Sequence, residues 1–156
     1  MAKKKTTKYY IAYGSNMDVS QMAYRCPEAT LVGLGEITGW EYLFKGSLTG
    51  SYATIERKKG TAPIPVYVWE VTEADERSLD RYEGYPNFYY KKDIRVKLHS
   101  TGKNAIGMVY IMHEERSLGI PSLAYIRTCE EGYRNFGFDT KFLDAAYEIS
   151  AKEVQR

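Results

Sequence analysis

The chain is poor in the residues that usually advertise a metal or redox site. It has two cysteines and two histidines among 156 residues. Cys26 and Cys129 stand far apart, allow at most one disulfide and form no CxxC pair, which argues against a redox motif or a cysteine-rich zinc site. His99 sits in a polar turn, and His113 precedes Glu114-Glu115 with no H-E-x-x-H spacing, so no metal is expected. No Cys–His or Ser–His arrangement presents a nucleophile. The glycines form neither G-x-G-x-x-G nor G-x-x-x-x-G-K-[ST], which disfavours a dinucleotide cofactor or a P-loop nucleotide. No cofactor is expected. No apolar run reaches the roughly 18 residues of a membrane span, and no apolar stretch follows the basic start MAKKKTTK to make it a signal peptide. Lys and Arg total 22 against 20 Asp and Glu, a net charge of +2, too small a bias to point to nucleic acid. Neither nucleic acid nor a membrane is an expected partner, and the default reading is a reduced, cytoplasmic protein.

What is abundant is tyrosine, 15 residues within an aromatic content of 14%. Tyrosine couples a large apolar ring to a hydroxyl that needs a partner when buried, so the composition points to a core or pocket with polar tips inside it. Hydrophobic residues at 44% and charged residues at 27% describe an ordinary globular chain. The expected organisation is a short basic tail over 1–7 and one domain over 8–152.

Lys8–Tyr13 is rich in strand formers and runs into the turn Gly14-Ser15-Asn16. Asp18 or Ser20 is placed to cap a short helix that Pro27 ends. Residues 30–58 read as strands and turns, with glycines inside strand-like sequence that suggest bulges. Pro63–Val71 and Ala105–Met112 are apolar on both faces and read as central strands. Ile94, Val96 and Leu98 alternate with charged residues, as a half-exposed strand does. Thr72, with Asp75 three residues on, opens a helix that Gly84 stops. A second helix starts at Pro121-Ser122 with Leu123, Ile126, Cys129, Tyr133 and Phe136 inward. A third follows Asp139 or Thr140 with Phe142, Ala145, Ala146 and Ile149 inward. The sum is about six or seven strands and three main helices, in no regular βαβ order, which fits a mixed α+β fold. Its expected form is a small coiled sheet or β-barrel with helices outside.

Three places carry candidate chemistry. The Gly14–Asn16 turn can aim backbone N–H groups at an anion, or be a plain strand–helix turn. Glu83 shares a helix face with Leu79 and lies at the helix C-terminus, where the dipole and partial burial both raise a carboxylate's pKa. The alternative is a solvent-facing residue at a frayed end. Tyr125 lies one turn into the helix that Ser122 caps, where its hydroxyl is placed either to meet a ligand or to pack in the core. Phe88, Tyr89 and Tyr90 are equally suited to a pocket wall or the core. Tyr89-Tyr90-Lys91-Lys92 mixes aromatics and cations, a pattern that a half-exposed strand produces as readily as a nucleic-acid surface.

YIAYGSNM (Tyr10–Met17), RCPEA (Arg25–Ala29), YATIE (Tyr52–Glu56), LDRYEGYP (Leu79–Pro86) and PSLAY (Pro121–Tyr125) occur here in a fixed order and spacing. In this order the segments resemble the γ-glutamylcyclotransferase-like, or AIG2-like, proteins over residues 8–140. The YGSN form looks more like the γ-glutamyl-amino-acid group and its bacterial relatives than the glutathione-specific branch, which carries YGSL. The resemblance implies a β-barrel flanked by helices with one ligand cavity. It implies that Tyr13, Gly14, Ser15 and Asn16 bind the γ-glutamyl moiety, that Glu83 is the general acid/base and that Tyr125 contacts substrate. The implied reaction converts a γ-glutamyl amino acid or related amide to 5-oxoproline and a free amine, without metal or cofactor, in a monomer or homodimer. Two alternatives keep the cavity. One is a cyclotransferase for a γ-glutamylamine or a γ-glutamyl-protected biosynthetic intermediate. The other is a non-catalytic module binding a small carboxylate ligand.

Overall fold

The computed structural model describes residues 6–47 and 49–154. Most of the expected N-terminal tail, residues 1–5, lies outside the described residues. Chain order begins with β1 (Thr7–Ala12), a 3-10 turn (Ser15–Met17) and α1 (Val19–Arg25). Next come β2 (Thr30–Ile37), β3 (Trp40–Ser47), β4 (Gly50–Arg57), β5 (Ile64–Thr72) and α2 (Glu73–Glu83). The chain continues through β6 (Tyr89–Leu98), β7 (Asn104–Met112), β8 (Ser117–Leu118), α3 (Leu123–Asn135) and α4 (Lys141–Val154).

Five strands close into a barrel in the order β1-β5-β2-β6-β7, and β4-β3-β8 form a separate sheet. Closure comes from a parallel contact between β1 and β7 at Tyr10 and Met108. This is the mixed α+β barrel expected from the sequence, with eight strands and four α-helices among the described residues. The two stretches apolar on both faces are indeed interior. β5 is paired on both edges, by β1 and β2, and β7 by β6 and β1. The glycine-rich β2 carries the expected irregularity between Leu31 and Gly33. β6 is half-exposed as its alternation predicts: Ile94 and Val96 are buried, while Asp93, Arg95 and Lys97 are exposed.

Helix ends follow local chemistry. Asp18 accepts from the Ser20 and Gln21 amides and caps α1. Thr72 and Asp75 form a reciprocal capping box at α2, worth about 1 kcal/mol. Gly84 ends α2 at φ 65°, a left-handed conformation that glycine adopts without a Cβ penalty. Ser122 accepts from the Tyr125 amide at 3.1 Å and caps α3.

Two helix faces differ from expectation. Leu123, Phe136 and Ile149 are 61%, 47% and 37% exposed, and Ala145 is exposed as well. The buried stripes are narrower. Cys129, Gly132 and Tyr133 are the buried residues of α3, and Leu143, Ala146 and Ser150 those of α4. α3 packs on the 3-10 turn and α4 on β3 of the second sheet, each a narrow partner, so flanking apolar positions stay in water. Cys26 and Cys129 are both buried and free, so no disulfide joins them. No described helix is long and apolar enough to cross a membrane.

Candidate active site

Beside barrel strands β1, β6 and β7 lies a cavity of about 310 Å³. Its walls come from β1 and the turn after it, β4, the end of α2, the start of β6, and α3. Tyr13, Gly14, Ser15, Asn16, Glu83 and Tyr125, the six residues singled out from the sequence, all line it.

The 14–17 turn is fixed from several sides. The Met17 amide bonds Gly14 O at 3.1 Å, and the Asp18 amide bonds Ser15 O at 3.0 Å. Ser15 and Asn16 are the first residues of this 3-10 turn, so their N–H groups have no acceptor within it. Asn16 Nδ2 donates to the Tyr10 hydroxyl at 2.9 Å, and Trp69 Nε1 donates to Asn16 O at 3.1 Å. Gly14 faces Tyr125 directly. A Cβ at position 14 would lie 3.1 Å from Tyr125 Oη and 3.3 Å from Ala53 Cβ, so any larger residue would press the Tyr125 hydroxyl and Ala53 back by a few tenths of an ångström.

Tyrosine hydroxyls bind the strands that carry the walls. Tyr13 donates to Tyr110 O at 2.6 Å, Tyr42 to Tyr13 O at 2.9 Å, and Tyr89 to Ala53 O at 2.8 Å. The Tyr125 hydroxyl accepts the Ala53 amide at 3.1 Å. Each such bond adds about 1 kcal/mol net, and losing a partner in the interior costs more than that. Burial pushes the phenols of Tyr10, Tyr13, Tyr89 and Tyr125 well above their ordinary range, so they stay neutral. Seven of the 15 tyrosines line this cavity, and the hydroxyls of Tyr13, Tyr89 and Tyr125 bond the backbone of its walls.

Glu83 reaches the cavity because α2 is pinned to the barrel. Lys91 on β6 pairs with Glu76 at 2.8 Å and Asp80 at 3.1 Å, and Lys8 on β1 pairs with Glu76 at 2.9 Å. The Tyr110 hydroxyl donates to Asp80 at 2.6 Å. Burial raises the Glu76 carboxyl, but Lys91 and Lys8 outweigh it and hold it below its ordinary value. One turn beyond Asp80 the helix ends and delivers Tyr82 and Glu83 to the cavity wall. Burial pushes the Glu83 carboxyl up to about 7, with Arg25 opposing. A carboxylate with that pKa exchanges protons near neutrality. Among the lining residues, Arg81 and Glu83 carry formal charge.

Of the three aromatic wall candidates, Phe88 and Tyr89 line the cavity. Tyr90 does not, because it points away to hydrogen-bond Glu114. Sequence reasoning passed over Tyr10, Tyr52, Tyr82 and Tyr110, which also line it. Tyr52 packs edge-on to Tyr125 at 5.2 Å and to Phe88 at 6.0 Å. The spacing of Tyr52 within the glycine-flanked strand looked no different from that of a packing residue. His99 lies beside Glu36 at 3.1 Å and His113 bonds Pro86 O at 2.7 Å, both away from the cavity. No group of three His, Cys, Asp or Glu side chains among the described residues is placed to hold a metal.

Residues 10–127 match the sequence profile of the family described as Gamma-glutamyl cyclotransferase, AIG2-like. No curated protein matches the chain. A solved structure titled Gamma-glutamyl cyclotransferase superposes with a TM-score of 0.79 at 23% identity, covering 90% of this chain and 86% of that one. An uncharacterized protein from Homo sapiens gives 0.78 at 24% identity with the same coverage, 90% and 86%. YkqA from Bacillus subtilis gives 0.74 at 18% identity over 94% of this chain and 55% of its own. At these identities the likeness to the solved structures is one of fold.

Proposed function

Because the chain belongs to the gamma-glutamyl cyclotransferase, AIG2-like family, we propose that it cyclises a γ-glutamyl amino acid or related γ-glutamyl amide. The products are 5-oxoproline and the released amino acid or amine. The observation that carries this reading is the Glu83 carboxyl, poised at about 7 in a cavity it shares with the 14–16 turn and Tyr125.

The substrate brings its own nucleophile. Its α-nitrogen bonds to its own γ-carbonyl carbon, closing a five-membered ring, and the amide C–N bond then breaks. The protein's first task is to fold the substrate so that amine and carbonyl meet. A cavity of about 310 Å³ suits a ligand of dipeptide size. The second task is proton transfer. Glu83 takes a proton from the substrate ammonium, freeing the attacking lone pair, and returns it to the leaving nitrogen. The third is charge. Backbone N–H groups of Ser15 and Asn16 hold a negative oxygen of the bound γ-glutamyl group, and one good donor of this kind is worth about 3 kcal/mol. Tyr125, opposite Gly14, contacts the same group.

Tyr125→Phe tests the last role. Loss of one hydroxyl is expected to raise KM about tenfold, the equivalent of one hydrogen bond, with a smaller change in kcat. The measurement is steady-state release of 5-oxoproline and free amine in equal amounts from a γ-glutamyl dipeptide. Unchanged KM would remove Tyr125 from the binding site. Absence of 5-oxoproline with the parent protein would remove the reaction itself.

A further inference from the structure

We propose that Arg25 is a positioning residue of this site: from behind the cavity wall its guanidinium ties the 14–17 turn to the end of α2 and supplies the positive charge that Glu83 faces. The inference rests on the reading of Glu83 as proton carrier. Arg25 is the last residue of α1 and is not among the residues lining the cavity. One edge of its guanidinium donates to Asn16 Oδ1, and Nη2 donates to Gln21 Oε1 at 3.2 Å. Its face stacks on Tyr82, with Cζ 3.4 Å from the ring centroid. The Tyr82 hydroxyl in turn shares a hydrogen bond with Ser15 Oγ at 3.1 Å. One planar cation therefore holds a wall residue from the turn and a wall residue from the helix. A lysine ammonium lacks the fork and the flat face to do both.

The electrostatic surroundings of Glu83 single out the same residue. Tyr10 and Tyr13 approach from β1 and the turn, Tyr89 from β6, Tyr110 from β7 and Tyr125 from α3, and burial keeps all five phenols neutral. On α2 itself, Asp80 is engaged by Lys91 and Tyr110, while Arg81 and Tyr82 share the cavity wall with Glu83. Arg25 is the charged side chain that draws the Glu83 carboxyl back down against burial. A surface arginine ending a helix would merely complement the dipole. It would have no connection with the protonation of a carboxylate on another helix.

The test uses Arg25→Gln, which keeps an N–H donor for Asn16 but loses the charge, and Arg25→Lys, which keeps the charge but loses the fork. The Glu83 carboxyl is titrated by carbon NMR on glutamate-labelled protein without substrate, its resonance assigned by difference with Glu83→Gln. Arg25→Gln is expected to move the titration upward by about one pH unit. The acid limb of kcat/KM is expected to move with it. Arg25→Lys is expected to leave the titration in place and raise KM about tenfold, within the hundredfold that a 1 Å misplacement costs. A folded Arg25→Gln protein with an unmoved Glu83 titration overturns the electrostatic role. An unchanged KM in Arg25→Lys overturns the positioning role, and that variant decides this role even if Arg25→Gln does not fold. The titration needs no turnover. A protein that makes no 5-oxoproline would therefore sink the proposed reaction and leave the tie between Arg25 and Glu83 to stand or fall separately.

Discussion

Glu83→Gln is expected to lower turnover by about 10²- to 10⁴-fold, the range for loss of a positioned acid/base, while leaving a protein that is more stable than the parent at pH 8. Both effects have one origin. Burial raises the carboxyl from 4.5 to about 7, so the fold favours its neutral form. The sign follows from proton binding. Between these two values the native state holds a proton that the unfolded chain has released, so stability falls as pH rises. The contribution is whole below about 4.5 and is lost once pH passes the folded value near 7. Glutamine copies the shape of the neutral acid and does not ionise. Glu83 is only half-buried, so solvent screens part of the penalty; at pH 8 glutamine is expected to gain about 1–2 kcal/mol over glutamate, and at pH 4 close to nothing. Urea denaturation of both proteins at the two pH values measures this, and 5-oxoproline release measures the first effect. Equal stabilities at pH 8 would show that the carboxylate is not buried at a cost. A glutamine variant with parental turnover would remove Glu83 from the chemistry.

Gly132→Ala is expected to damage a site that it does not touch. In an open helix this change would help, because alanine is favoured over glycine by about 1 kcal/mol. Here a Cβ would fall 2.5 Å from Met17 Cβ and 2.8 Å from the Met17 carbonyl carbon. Met17 is fully buried and closes the turn that carries Gly14, Ser15 and Asn16. It cannot move outward, and the Gly132 carbonyl is itself bonded by the Tyr67 hydroxyl. Overpacking of this kind costs about 1–3 kcal/mol. What relaxation occurs shifts the turn, and a displacement near 1 Å costs about 10²-fold in rate. Thermal melts and steady-state kinetics together check both halves. A variant as stable and as active as the parent would mean that α3 does not seat the turn.

Local chemistry was the most legible part of the sequence. The capping box at Thr72, the stop at Gly84 and the Ser122 cap are written in adjacent residues, and each is found where its side chains placed it. Two strands apolar on both faces had to be interior, and β5 and β7 are. Pairing was not legible. Trp40–Ser47 and Gly50–Arg57 pair with each other as a hairpin, but nothing in either strand states that the pair stands apart from the five strands that close the barrel. The buried stripes of α3 and α4 were also blurred, since their contact points include Gly132 and Ser150, residues that carry no hydrophobic signal.

The candidate site divides in the same way. Glu83 stood out as a carboxylate on the same helix face as Leu79, and its motif completed the reading. Tyr110 was hidden inside a run where every residue is apolar or aromatic. Arg25 gives no local signal of its place in the site, because its partners Asn16 and Tyr82 lie 9 and 57 positions away.

The central claim is that this cavity cyclises a γ-glutamyl amide through Glu83. It is tested most directly by 5-oxoproline release, followed by mass spectrometry between pH 5 and pH 9. The substrates are γ-glutamyl amino acids, glutathione and γ-glutamylamines, each given to the parent protein. The expected result is product from at least one γ-glutamyl amino acid or amide, with kcat/KM falling on the acid side of an inflection near 7, where the Glu83 carboxyl titrates. A folded protein that yields no 5-oxoproline from any of them, or product with no inflection between pH 5 and pH 9, would contradict it.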